Sequence, residues 1–293
     1  MTTAQAAALT SAQAAALTTA QLAALLPTTV SKLSISAISA LSTGQVAALT
    51  TTQVAGLSST QIAALTTAQV SALTTAQLVA ISATSFKGLE SADLVALTTA
   101  QAAALSSAQV AALGTNIIAA MQTVDLAALT TAAIRGLSSA QVKALTGAQI
   151  AALTTAQIAA LVPAAVVGID AVDLAAMTTA QIAALGATGA AVLTSVQLAA
   201  LTTAQVAALG SAQVAALSAT ALKGLESADL VALTTAQAAM LSSAQVAALG
   251  TNIIGGGTAT SLSIMYRSTI RVLASPQAKA LTSAQIAALT TAQ

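Results

Sequence analysis

The chain has 293 residues, of which 57% are hydrophobic and only 5% charged; eight bases against seven acids leave a net charge of +1. A balance so even gives no long-range attraction to nucleic acid or to an anionic membrane surface. The sequence contains no histidine and no cysteine. That excludes disulfides, thiolate and imidazole metal sites, and Ser-His-Asp or Cys-His catalysis.

From Met1 onward the chain reads as octads in one frame. The consensus is Leu, Thr/Ser, Thr/Ser, Ala, Gln, Val/Ile/Leu, Ala, Ala, shown by Leu65-Thr66-Thr67-Ala68-Gln69-Val70-Ser71-Ala72. Position 1 departs from Leu only at Met1, Ile81, Met121, Ile169, Met177, Gly257 and Met265. Thr66-Thr67-Ala68-Gln69 has the form of a capping box. Thr66 as N-cap accepts from the Gln69 N–H while the Gln69 side chain reaches back to the Thr66 N–H. Leu65 and Val70 then occupy the two positions of a hydrophobic staple. A helix start every eight residues predicts a helix every eight residues. One unbroken helix fits worse. Eight residues turn it by about 800°, about 80° past two full turns, so the Leu stripe would wander around the axis. A strand would send positions 1 and 6 to opposite faces.

From Met1 to Ile81 the octads are mostly regular, with LSISAISA at 33–40 as a Ser/Ile variant. Pro27 falls in a predicted first turn, as Pro163 and Pro276 do later, where a missing N–H costs little. The stretch 82–118 then recurs at 218–254, from SAT and KGLESAD to GTNII, seventeen octads further on. Pro27 and Pro163, Arg135 and Arg271, and Lys143 and Lys279 obey the same offset. The domain reading is one array, 1–293, made of a unit at 1–136, a second at 137–272 and a remainder at 273–293. The second unit is most degenerate at 255–275, where Leu262 and Ile270 still hold position 6.

Charges obey the register. Glu90, Asp170 and Glu226 occupy position 2, and Asp93, Asp125, Asp173 and Asp229 position 5, all in predicted first turns. Lys87, Arg135, Lys143, Lys223 and Lys279 occupy position 7 and Lys32 position 8, near predicted helix ends. The helix dipole favours this arrangement by about 0.3–1 kcal/mol each. Gly114, Gly186, Gly210 and Gly250 follow position 1, and Gly56, Gly88, Gly136 and Gly224 precede it. They are expected to take left-handed conformations at the corners. Isolated helices this short are marginal, so neighbouring octads must hold one another, as in a solenoid.

The expected fold is therefore all-α, a solenoid or superhelix of short helices, one per octad, with positions 1 and 6 inward, position 2 capping and position 7 exposed. No apolar run reaches the roughly 18–20 residues of a transmembrane helix, and the N-terminal MTTAQAAAL lacks the basic start of a signal peptide. No phosphate-binding loop or dinucleotide fingerprint is present; Gly255-Gly256-Gly257 lacks the Lys-Ser/Thr that would follow. The paired acids Glu90/Asp93, Glu226/Asp229 and Asp170/Asp173 read as helix N-terminal decoration, with calcium or acid–base chemistry as the sharper alternative. Tyr266, Arg267 and Arg271 could form a small basic patch, and Phe86 at position 6 is expected in the core. No catalytic, cofactor-binding or metal-ligating residue is assigned and no cofactor is expected.

The LTTAQVAALTTAQ octads resemble large low-complexity repeat proteins of bacteria, often of adhesin-like or surface type. Leu201 to Leu209, Leu-Thr-x-x-Gln-Val-x-Ala-Leu, resembles the first helix of a transcription-activator-like effector repeat. That second family reads DNA with a basic superhelix. This chain lacks the second helix, the reading loop and the basic stripe, so nucleic acid is not the expected partner. What the sequence leads one to expect is a non-enzymatic structural or adhesive repeat protein of a bacterial surface or secreted assembly. The alternative is a solenoid module binding protein or nucleic acid, with ice binding by Thr rows a third idea. The first octad, MTTAQAAA, and the last fragment, LTTAQ, are ordinary repeat sequence, which leads to an expectation of end-to-end association or of a longer array.

Overall fold

The computed structural model describes residues 1–258 and 270–289. Leu262, Met265, Tyr266 and Arg267 lie outside the described residues; of the basic patch Arg271 alone is described, and it is exposed. Every described helix is four to six residues long, and helices follow one another at eight-residue spacing; the described residues contain no strand. The chain forms two compact units, Met1–Leu145 and Thr146–Gln293.

The predicted helix start is present in regular octads. Gln69 N–H donates to Thr66 Oγ1 at 3.2 Å, and Thr66 N–H donates to Gln69 Oε1 at 2.7 Å. The helix Thr67–Ala72 then stops at Leu73, whose φ of −59° and ψ of 137° turn the chain away. Thr74, again extended at φ −68° and ψ 156°, opens the next helix, Thr75–Ala80. The corner is two extended residues, an apolar one that is buried and a polar one that caps. Pro27 and Pro163 stand at the first helical position and Pro276 at the second, where the sequence places them.

The glycine expectation is corrected. Among the described residues Gly186, at φ +64°, is the one residue with positive φ. Gly114, Gly210 and Gly250 are extended N-caps, and Gly56 ends its helix in the right-handed region at φ −83°. Extended leucines make the corner, so no left-handed residue is needed. Gly88, Gly136 and Gly224 serve close approach instead. An added Cβ would lie 2.0 Å from the Ser59 carbonyl oxygen at Gly88, 2.2 Å from that of Ser107 at Gly136, and 2.0 Å from that of Ser195 at Gly224.

Within each unit, helices pack against the third helix before and the third after. Thr67–Ala72, for example, packs on Thr43–Ala47 and on Ser91–Ala96. Each unit is therefore coiled as a solenoid. Leu at position 1 and Val, Ile or Leu at position 6 fill its interior; Leu65, Val70, Leu73 and Leu78 are all buried. Phe86 is fully buried. Positions 2 and 4 face outward, position 7 is mostly exposed, and position 8 is mostly half-buried.

From Gln45 to Gln285 the glutamines at position 5 are buried as well, which the capping box alone does not require. The amide nitrogen reaches the previous turn of the solenoid. Gln69 Nε2 donates to the carbonyls of Ile38 at 3.1 Å and Leu41 at 2.6 Å. Gln77 does the same to Val46 at 3.0 Å and Leu49 at 2.6 Å, and Gln205 to Leu174 at 2.8 Å and Met177 at 2.7 Å. In all three the acceptors keep the same two separations along the chain, 31 and 28. The position-1 carbonyl lies just past the helix end, and the position-6 carbonyl, which also accepts the N–H three residues on, lies in its last turn. One side chain thus caps the start of its own helix and the end of a helix in the turn beneath.

Candidate functional site

Octads without Gln or Asp at position 5 depart from this pattern. Six of them form four-residue helices: Pro27–Val30, Ala83–Phe86, Thr115–Ile118, Thr131–Ile134, Pro163–Val166 and the 3-10 helix Ala221–Gly224. In Ala83–Phe86, Ser85 takes over part of the lost contact, its Oγ donating to the Leu57 carbonyl at 2.7 Å. The Gly88 N–H donates to the Ser85 carbonyl at 2.9 Å, tightening the last turn so that Gly88 can close on Ser59. All seven acids lie in octads that directly follow such a short helix.

Around Gly88 the surface opens into a groove of about 660 Å³. Lys87, Glu90 and Ser91 flank it across one corner, Ser59 and Thr60 line the preceding turn, and Asn116 the following one. Ser91 Oγ donates to the Asn116 carbonyl at 3.3 Å. The two most distinctive motifs of the seventeen-octad period, KGLES and GTN, therefore meet at one place in the first unit. The second unit carries the same residue types at Lys223, Gly224, Glu226, Ser227 and Asn252, with Gly224 equally close to Ser195.

The acids are where the register puts them, at helix starts. Asp93 Oδ2 accepts from the Glu90 N–H at 2.9 Å, and Asp229 Oδ2 from the Glu226 N–H at 2.9 Å, the carboxylate versions of the Gln cap. Both aspartates are buried. Burial pushes the Asp93 carboxyl above its ordinary 3.8, the Glu90 N–H pulls it back, and the Glu90 charge raises it further. Asp173 is raised too, by burial first and then by Asp170. Asp125 is different. It is 2% exposed, and its Oδ1 is buried without a hydrogen-bond partner. Its neighbour Gln122, at position 2, sends its own Nε2 to the Val95 carbonyl at 2.9 Å. Reading the octads assigns Asp125 no part beyond the helix dipole, although an Asp where Gln is the rule is the available signal. Among the described residues no three acids gather into a cluster, and no helix of the described residues is long and apolar enough to cross a membrane.

The fold and its repeating clamp define an all-α octapeptide-repeat protein. More narrowly, the chain belongs to the ALTTAQ repeat family, whose model matches residues 51–83, 86–123, 118–155, 166–203, 190–219 and 222–255. A comparison with curated proteins finds no match.

Proposed function

We propose that the chain is a non-enzymatic structural or adhesive repeat array, part of a bacterial surface or secreted assembly. The observation that carries this reading is the row of glutamine clamps. Each joins a helix to the turn before it through backbone carbonyls, so tension along the solenoid is shared over many equivalent bonds. Such an arrangement suits a spacer or strut. Uninterrupted repetition and the shortage of catalytic residue types point the same way. Self-association end to end belongs to the same proposal. Electron microscopy of the purified protein across a concentration series tests this reading. Rods or filaments that lengthen with concentration are the expected result; globular particles unchanged with concentration would overturn it.

A second reading, a solenoid module that binds a partner, is favoured by the groove at Gly88 and the recurrence of its residue types in the second unit. Its signature is a pull-down by the full chain that is abolished by Lys87→Glu with Lys223→Glu; a partner retained by that double variant would count against it.

A further inference from the structure

Position 5 decides how each turn of the solenoid is fastened to the one beneath, because that residue carries the amide donor. Along the sequence, three consecutive octads without Gln there occur twice: at 113–136, with Ile117, Asp125 and Ala133, and seventeen octads later at 249–272, with Ile253, Ser261 and Thr269. The second run lies partly outside the described residues. Since helices pack on the third before and the third after, three octads make one whole turn. In the first run Thr115–Ile118 packs on Ser91–Ala96, Thr123–Ala128 on Thr99–Ala103, and Thr131–Ile134 on Ser107–Ala112. The turn beneath is itself fastened: Gln101 Nε2 donates to the Leu73 carbonyl at 2.7 Å, and Gln109 Nε2 to those of Leu78 and Ile81 at 2.8 and 3.0 Å. Clamps resume with Gln141, which donates to the Val110 and Leu113 carbonyls at 2.8 and 2.9 Å.

Between the turns 89–112 and 113–136 lies a seam closed by apolar packing, with Ile118, Leu126 and Ile134 fully buried. Two hydrogen bonds across it lie at the exposed surface, where water competes: Ser91 Oγ donates to the Asn116 carbonyl at 3.3 Å, and Gln122 Nε2 to the Val95 carbonyl at 2.9 Å. Closure also strands an acceptor. Asp125 Oδ1 is buried without a partner, a cost that opening to water removes. The stability of a solenoid is close to a sum of repeat terms and nearest-neighbour terms, so the weakest interface separates first. We propose that this seam is a built-in joint, where the first unit, Met1–Leu145, opens while the turns on either side stay folded. The joint does not rest on the strut reading; in a strut it sets where the array yields.

The chain has no cysteine, so Ala133→Cys places a single thiol in the seam. Ala165→Cys places an equally buried one at position 5 of a turn that keeps the Gln181 clamp. Below the global unfolding transition, thiol labelling is expected to be about tenfold faster for Ala133→Cys than for Ala165→Cys. Adding Asp125→Gln with Gln122→Thr, which restores the repeat's donor and cap in the middle octad, should slow it by about the same factor, with folding checked by circular dichroism. Hydrogen exchange of the unmodified chain makes the comparison without any substitution. The amides of Thr123–Ala128 should exchange faster than those of Thr75–Ala80, a helix of equal length that carries the Gln77 clamp. Equal labelling of the two thiols, or equal protection of the two helices, would overturn the joint. So would labelling of Ala133→Cys that tracks global unfolding, or no slowing in a folded chain carrying Asp125→Gln.

Discussion

The Gln77 amide nitrogen lies 2.6 Å from the carbonyl of Leu49, and its amide oxygen lies 2.7 Å from the N–H of Thr74. The two ends of one buried side chain thus satisfy a helix start and a helix end that belong to successive turns of the solenoid. Gln77→Met keeps the volume and removes both partners. It should destabilise the chain by about 1–3 kcal/mol, the cost of leaving buried polar groups unsatisfied. Gln77→Glu keeps the cap oxygen but turns a charge toward the carbonyls of the previous turn, and should cost more. Urea denaturation of the two variants beside the unmodified chain reads the difference; equal costs would mean that the Nε2 contact contributes nothing.

The cap and the staple differ in weight. Thr66→Ala removes a side-chain acceptor at an exposed corner and should cost about 0.5–2 kcal/mol. Leu65→Ala empties an interior position and should cost about 2–5 kcal/mol. The same denaturation measurement ranks them, and a reversed order would remove Leu65 from the interior.

Glycines divide by what surrounds them. Gly88→Ala drives a Cβ into the backbone of Ser59 and should cost about 1–3 kcal/mol by overpacking. Gly44→Ala, inside the helix Thr43–Ala47, meets nothing nearer than the Ser42 hydroxyl at 3.9 Å and should stabilise by about 0.5–1 kcal/mol. Gly186→Ala has room but must adopt φ +64°, and should cost about 1–2 kcal/mol. Melting temperatures of the three variants separate crowding from strain.

Mild acid should stabilise the fold. The Asp93 and Asp173 carboxyls are raised above 3.8 in the folded chain, by burial first, and then by the charges of Glu90 and Asp170 respectively. Between the ordinary and the raised values the folded state binds more protons than the unfolded one, so stability falls as pH rises through that window. Unfolding free energy measured from neutral pH down toward the ordinary carboxylate range should therefore increase. Asp93→Asn should flatten part of the slope, and a slope of opposite sign would contradict the burial of these groups.

Helix positions, caps and the inward faces are legible because each is local to one octad: Thr66 and Gln69 announce a helix start without reference to anything else. The clamp is harder to see, though it leaves a trace. A capping box is served by Glu as well as Gln, yet position 5 is never Glu. Position 5 does admit Asp, at Asp93, Asp125, Asp173 and Asp229, which is too short to reach the previous turn, whereas Glu reaches as far as Gln and would press its charge on the carbonyls there. The glycines mislead because Gly serves two physical ends. Sequence does not separate a left-handed corner from the passage of Ser59 against Gly88, since the second depends on how many octads make a turn. Asp125 is opaque for the same reason, as its burial without a partner depends on the turns packed around it.

Because the glutamine clamp grips main-chain oxygens, it is indifferent to which side chains the gripped octad carries. An unequal crossover between two octads in frame would still leave each glutamine a carbonyl at its accustomed separation. Gain or loss of whole octads is then tolerated by the fold, and a copying event spanning seventeen of them, as the recurrence of 82–118 at 218–254 records, needs no compensating substitution at its joins. The length of such a protein becomes a quantity that recombination can adjust one octad at a time.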